Sequence, residues 1–342
     1  ARVYCAERLS TAGFFVTEET FTFSSRPARV IPPAAGIFAS LMAFLAAHLA
    51  LGHDSPLLAL LVLLAAIVLA AFEFRGVFGN QAKAGIGNER SANLIATRGT
   101  PRVWLVAHVD SKSQTIPMLL RVASVVGLVA GTALLLFVFV AGIVLKPLGN
   151  TDVVRSLDPI IVGLTLLVVG SSLPLAFCWI GNRSPGALDN ASGVAAVLLA
   201  ADATSGDGLG VLISSAEEVG LAGSRAFAAS QDPGVAINCD TIDDHGQFVA
   251  FRGGSREKTA ADALLGAARM LGIDIRSRAS LPGVVTDGTA LARAGWDVVT
   301  LSRGNLATLT RVHTSRDTAE RINGTGIALA ARLLTATIEE LA

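Results

Sequence analysis

Four long apolar runs constrain this chain more than any other feature. They extend from about Ile31 to Leu51, Pro56 to Phe72, Met118 to Leu145 and Ile160 to Ile180. Each approaches the ~20 apolar residues that carry a helix across ~30 Å of hydrocarbon. None holds a charge in its middle, and Arg121 sits near the start of the third. A helix buried in a soluble core keeps a polar stripe, whereas Leu57 to Ala71 and Val122 to Leu145 are apolar all round. The runs therefore read as four transmembrane helices, which also accounts for a composition that is 52% hydrophobic.

The connections group these helices into two hairpins. Gly52-His53-Asp54-Ser55 is a tight turn between the first pair, and Lys146 to Pro159 joins the second pair. An even number of crossings leaves the rest of the chain on one face of the bilayer. That face carries Arg26, Arg29, Arg75, Lys83, Lys112 and Arg183, against Lys146 and Arg155 on the other. The positive-inside rule then predicts an integral protein of the plasma membrane with its polar domain in the cytoplasm. The formal net charge is +0, without a basic stripe, so no nucleic-acid partner is expected. Cys5, Cys178 and Cys239 are widely spaced, which predicts neither a disulfide framework nor thiolate metal ligation.

With the hairpins at 30–72 and 117–181 set aside, 1–29, 73–116 and 182–342 read as one discontinuous domain. Val3 to Leu9 and Gly193 to Ala201 have helical spacing, and Thr318 to Leu341 reads as a long amphipathic helix. Phe21-Thr22-Phe23, Val103 to Ala107, Leu209 to Ile213, Val235 to Asn238 and Val298 to Leu301 read as strands. Alternating strands and helices predict an α/β fold, a mainly parallel, mixed sheet sandwiched by helices. Sites in such sheets form at the carboxyl ends of the strands.

Titratable residues collect at those ends. His108-Val109-Asp110 follows the strand ending at Ala107; an imidazole there suits zinc, and a carboxylate two residues on suits orienting it. Asp189 lies in a turn before a helix that Asn190 or Ser192 could cap. Glu217 and Glu218 follow the strand ending near Ser214, either as a metal ligand beside a general base or as acids in a first helical turn. Asp240 follows a further apolar strand, and Asp243, Asp244 and His245 read as loop residues. His313 precedes the last helix, for which Asp317 or Thr318 could serve only as a cap. Taken together, these groups supply a full set of carboxylates and imidazoles for two metal ions.

These stretches resemble the co-catalytic zinc aminopeptidases of the bacterial aminopeptidase S and aminopeptidase Y type, related to glutamate carboxypeptidase II. The resemblance is carried by Ser91-Ala92-Asn93-Leu94-Ile95-Ala96, AHVDS at 107–111, GALDNASGVAAVL at 186–198, AEEVGLAGS at 216–224, INCD at 237–240 and HTSRDT at 313–318. It implies the zinc-peptidase, phosphorylase/hydrolase-like fold with two Zn ions, or other divalent metals. His108 and Asp240 would each hold one ion, Glu218 and His313 would complete the coordination, and Asp189 would bridge. Glu217 would be the general base and Asp110 would orient His108. The substrate implied is a peptide, cut near its N-terminus, or a small amide. The alternative is a catalytically weak or inactive membrane scaffold or receptor that keeps the fold. Two departures stand out: Val312 replaces the tyrosine that relatives often carry before the last histidine, and Thr286-Asp287-Gly288 lacks the family's histidine. Arg303 or Arg311 is a candidate replacement donor.

Overall fold

The computed structural model describes residues 1–78, 87–149, 151–253, 258–279 and 285–341, with side chains omitted for 73–78 and 151. Lys83 and the side chain of Arg75 lie outside the described residues. The chain divides into two compact units, Ala1–Ser25 with Ala82–Ser113 and Gly181–Ala342, and Arg26–Gln81 with Gln114–Ile180.

The first unit is built on one eight-stranded mixed sheet. Its strands are β1 (Phe15–Phe23), β2 (Glu89–Arg98), β3 (Val103–His108), β4 (Leu209–Ser214), β5 (Val235–Ile242), β6 (Gln247–Arg252), β7 (Ile275–Ala279) and β8 (Asp297–Gly304). They lie in the order β1-β2-β4-β3-β5-β8-β6-β7. The central four, β4-β3-β5-β8, run parallel, with Val103 opposite both Leu209 and Val235, and Asp297 also opposite Val235. β1, β2 and β6 join antiparallel, and β7 runs parallel to β6 at the edge. The sheet is thus mixed with a parallel centre, as the alternating pattern predicts.

Side-chain alternation assigns the two faces. Val103, Leu105 and Ala107 of β3 join one core with Leu209, Val211 and Ile213 of β4. This face is covered by α1 (Arg2–Thr11) and three further helices, through Cys5, Val197, Leu264 and Leu333. Trp104 and Val106 point the other way and pack with Leu212, Phe227, Leu291 and Trp296. Trp104 meets Phe227 edge-on, with ring centroids 4.8 Å apart. Completely buried strands need apolar residues on both faces, which is why β3 and β4 read as continuous apolar runs.

The second unit holds α2 (Arg26–Gly52), α3 (Pro56–Phe78), α4 (Met118–Leu145), the short α5 (Thr151–Ser156) and α6 (Asp158–Ala176). Both sequence hairpins pack into this one unit. Ala43, Ala46 and Ala47 of α2, Leu63 of α3, Leu135 and Phe139 of α4 and Val168 of α6 form its core. Ser40 and Ser172 share a 2.7 Å hydrogen bond between α2 and α6, and Lys146 Nζ donates to Asp54 Oδ2 at 2.7 Å. The outward residues, such as Phe44, Val68, Val126, Phe137 and Leu166, are apolar as well.

Three helical stretches, Arg26–Gly52, Met118–Leu148 and Asp152–Ala176, are long and apolar enough to cross a membrane. The second predicted span, Pro56–Phe72, is an apolar helix of shorter length among the described residues. α2 starts before Ile31, absorbing Pro32 and Pro33. α6 stops at Ala176, short of Ile180 and two residues past Pro174.

Back in the first unit, the remaining helices are α7 (Ser192–Ala203), α8 (Ala222–Ser230), α9 (Thr259–Met270), α10 (Asp287–Arg293), α11 (Leu306–Leu309) and α12 (Thr325–Leu341). α7, α9 and α12 complete the α1 face, and α8 and α10 cover the other. The last helix corrects the sequence reading, which began it at Thr318. Residues Ala319–Arg321 form only a 3-10 turn, and Gly324, at φ 87°, breaks the chain before α12.

Candidate metal centre

The carboxyl ends of the parallel strands gather the titratable groups. His108 is the last residue of β3, Glu217 and Glu218 follow the end of β4, and Asp240 lies in the last turn of pleat of β5. Asp189 and His313 reach the same place from loops. All six are buried.

They form two groups of three that share one member: His108, Asp189 and Asp240, and Asp189, Glu218 and His313. His108 Nε2 lies 3.2 Å from Asp189 Oδ1 and 3.9 Å from Asp240 Oδ1. His313 Nε2 lies 3.0 Å from Asp189 Oδ2 and 3.2 Å from Glu218 Oε1. Asp189 therefore turns one oxygen to each histidine.

The loop carrying Asp189 is built by local chemistry. Gly186 adopts φ 71°, and a Cβ there would stand 2.5 Å from Ser111 Cβ, so glycine alone fits. Asn190 does bind the start of α7, accepting the Gly193 N–H at 3.1 Å, but it also accepts from Thr241 N and donates to Cys239 O. Ser192 donates to Leu188 O and accepts from Ile242 N. Both side chains thus tie this loop to β5 besides serving the helix.

Asp317 does not cap the last helix. Its carboxylate accepts the backbone N–H of Leu188 at 2.6 Å and of Asp189 at 3.2 Å. Asp244 takes over the capping, accepting from Gly326 N at 2.9 Å. Asp243 accepts from Thr308 Oγ1 at 2.6 Å and from Arg311, so Arg311 is engaged in a brace near His313. Arg303 stacks over Phe248, and Val312 is buried.

Asp110 stands beside His108 with its backbone oxygen nearer than its carboxylate. His108 Nδ1 lies 3.0 Å from the Asp110 backbone oxygen and 3.8 Å from its carboxylate. The carboxylate instead accepts the Glu217 and Glu218 amides, each at 3.1 Å. The physical reason is the turn after β4, with Ala216 at φ 56°, which exposes two adjacent N–H groups that need an acceptor.

Two neighbours had no assigned role in the sequence. Lys112, counted there only as a flanking cation, places Nζ 2.6 Å from Glu218 Oε2. Asp287 is buried and accepts a hydrogen bond from Ser214 at the end of β4. Lys112 has no spacing signal that singles it out, and Asp287 stands in the sequence only within the Thr286-Asp287-Gly288 segment.

Electrostatics describe a cluster that calls for cations. Burial alone would depress the His108 pKa, yet the Glu217, Asp189 and Asp240 carboxylates raise it well above the usual histidine range. Burial would raise Asp189, but its two histidines hold it far below the carboxylate range. Glu218 is lowered to about 2, burial being outweighed by Lys112 and His313. Burial, reinforced by Glu218, Asp287 and Asp240, pushes Glu217 well up despite His108. Burial similarly raises Asp287 to about 6. His108 Nε2 is buried and makes no hydrogen bond. An imidazole nitrogen so placed among carboxylates is a fitting donor for a divalent cation, and mixed N and O donors suit zinc.

The mixed α/β sheet thus carries a buried carboxylate–imidazole cluster at the carboxyl ends of its parallel strands. Residues 171–338, just under half of the chain, match the model of peptidase family M28, which bears out the resemblance to the co-catalytic zinc peptidases. Among solved structures, a zinc aminopeptidase from Bacillus subtilis is similar at 19% identity and TM-score 0.48, over 75% of this chain and 52% of that one. Legionella pneumophila LapA aminopeptidase is similar at 14% identity and TM-score 0.47, over 74% and 54% respectively. Porphyromonas gingivalis glutaminyl cyclase is similar at 13% identity and TM-score 0.53, over 100% of this chain and 89% of that one. This chain spans about half the length of the two aminopeptidases. No curated protein matches it.

Proposed function

We propose that the chain is a membrane-anchored metallopeptidase that hydrolyses an N-terminal peptide bond or a small amide at a two-metal centre. The observation that carries this reading is Asp189, whose two oxygens lie 3.2 Å and 3.0 Å from the Nε2 atoms of His108 and His313. His108 and Asp240 would hold one ion, Glu218 and His313 the other, and Asp189 both. Two divalent ions, zinc by the donor set, would supply Lewis acidity and make water a nucleophile near neutral pH.

The chain's own groups supply the rest. Glu217 belongs to neither three-residue group and stays available to take a proton from the attacking water and return it to the leaving amine. Its raised affinity for protons supports that role. Asp110 fixes the backbone of Glu217 and Glu218 together, so the base and a ligand keep one geometry.

Residues 1–29, 73–116 and 182–342 form the catalytic domain in this reading, and four helices anchor it in the plasma membrane with that domain cytoplasmic. The three long apolar helices and the outward apolar side chains of the second unit support anchoring. The orientation rests on the cations flanking the spans.

The test is Glu217→Gln in the full chain. The reading predicts that metal content is retained while turnover falls by ~10²–10⁴-fold. Undiminished turnover contradicts it, and a wild type with no hydrolysis returns the scaffold alternative.

A further inference from the structure

Lys112 lies four residues past His108, in the stretch that follows β3. Its Nζ lies 2.6 Å from Glu218 Oε2 and also donates to the Glu218 backbone oxygen at 3.2 Å. Its own backbone N–H reaches Glu218 Oε1 at 3.3 Å. The lysine side chain is 15% exposed and the glutamate 4%. Its neighbours pin the backbone in place: Ser111 Oγ donates to Ser184 O at 3.2 Å, and Ser113 Oγ accepts from Arg183 N at 2.9 Å. A lysine whose neighbours are held at both flanks, and which is bound at its backbone N–H and its ammonium, is an organised contact.

The contact divides the two oxygens of Glu218. Oε2 is taken by the ammonium, while Oε1 faces His313 Nε2 at 3.2 Å. Glu218 can then offer one oxygen to a cation beside His313 and Asp189. Asp240, its counterpart in the other group, takes a neutral hydroxyl, with Thr241 Oγ1 donating to its Oδ1 at 3.1 Å. One position thus carries a fixed positive charge on a ligand and the other a neutral hydrogen bond.

We propose that Lys112 is a positioning residue that holds Glu218 as a one-oxygen ligand and makes the Asp189–Glu218–His313 position the weaker of two metal positions. The inference rests on the two-metal reading above. The ions bind in order, first at His108–Asp189–Asp240, and the second is the one that leaves on dilution or mild chelation. Charge decides the direction: removing a cation this close relieves repulsion of the incoming ion and frees the second oxygen of Glu218.

The experiment is zinc titration of the detergent-solubilised full chain, stripped of metal, against a competing chromophoric chelator. Lys112→Met is expected to tighten the weaker dissociation constant by about tenfold or more and to change the stronger one by less than about threefold. Lys112→Arg, which keeps the charge, leaves both within about threefold of wild type. Lys112→Gln gives the Met result if the neutral chain needs a polar side chain to fold. In a His313→Ala background the effect of Lys112→Met disappears, because the position it tunes is gone. Weaker binding in the neutral variants, or equal changes in both constants, overturns the role of Lys112 and leaves the metal centre standing. A wild type that binds no zinc overturns both.

Discussion

Asp317 holds Asp189 in place through the backbone, accepting its N–H at 3.2 Å while accepting that of Leu188 at 2.6 Å. The acid that looked like a helix cap is thereby the support for the acid shared by both groups of the cluster. Its charge-assisted bonds fix the backbone of the turn that carries Asp189.

Asp317→Asn keeps the shape and removes the charge. It is expected to weaken zinc binding by about 10–100-fold, as loss of an outer support does at other metal sites. Chelator competition reads this directly. Unaltered affinity would mean that the Leu188–Asp189 turn holds its shape without this carboxylate.

The stripped centre makes a prediction about pH. Asp287 is raised from 3.8 to about 6 by burial. A carboxyl with a folded pKa above its unfolded one binds more protons when folded. Its favourable contribution is full below the unfolded pKa and is lost as pH rises through about 6. His108 and His313 are also raised, and their contributions fade in the same direction. Chelator-treated protein should therefore melt at lower temperature near pH 8 than near pH 5. Asp287→Asn should recover about 1–3 kcal/mol at the higher pH and little at the lower. Thermal melts across that range check it, and a variant no more stable at high pH contradicts it.

Much of this architecture was legible because burial on both faces leaves a plain signature. Val103 to Ala107 and Leu209 to Ile213 read as strands since neither face of β3 or β4 meets water. β1 is legible only at Phe21 to Phe23, because Thr17, Glu18 and Thr20 face solvent on an edge strand and break the apolar pattern. β7 was missed for the same reason, with Arg276, Ser277, Arg278 and Ala279 all exposed. The apolar runs of β6 and β2, Phe248 to Phe251 and Leu94 to Ala96, are short and are flanked by polar residues.

The site divides along similar lines. His108, Glu217, Glu218 and Asp240 sit in motifs at strand ends, and Asp189 and His313 sit in motifs of the loops beside them, so their meeting is anticipated from the sequence. Lys112, Asp287 and Asp317 act through contacts that span long stretches of chain, such as the bond that Asp317 accepts from Leu188. Local spacing carries no trace of such contacts. Asp110 stands out in the sequence only by its place beside His108, and the fold shows its carboxylate accepting the Glu217 and Glu218 amides.

The most direct test of the central claim is metal content per chain. Detergent-purified full-length protein would be subjected to elemental analysis while a panel of aminoacyl amides is tested for cleavage. The account predicts about two zinc ions per chain, with cleavage abolished by chelator and restored by zinc. Protein that carries and takes up no divalent metal, and cleaves nothing, would contradict it.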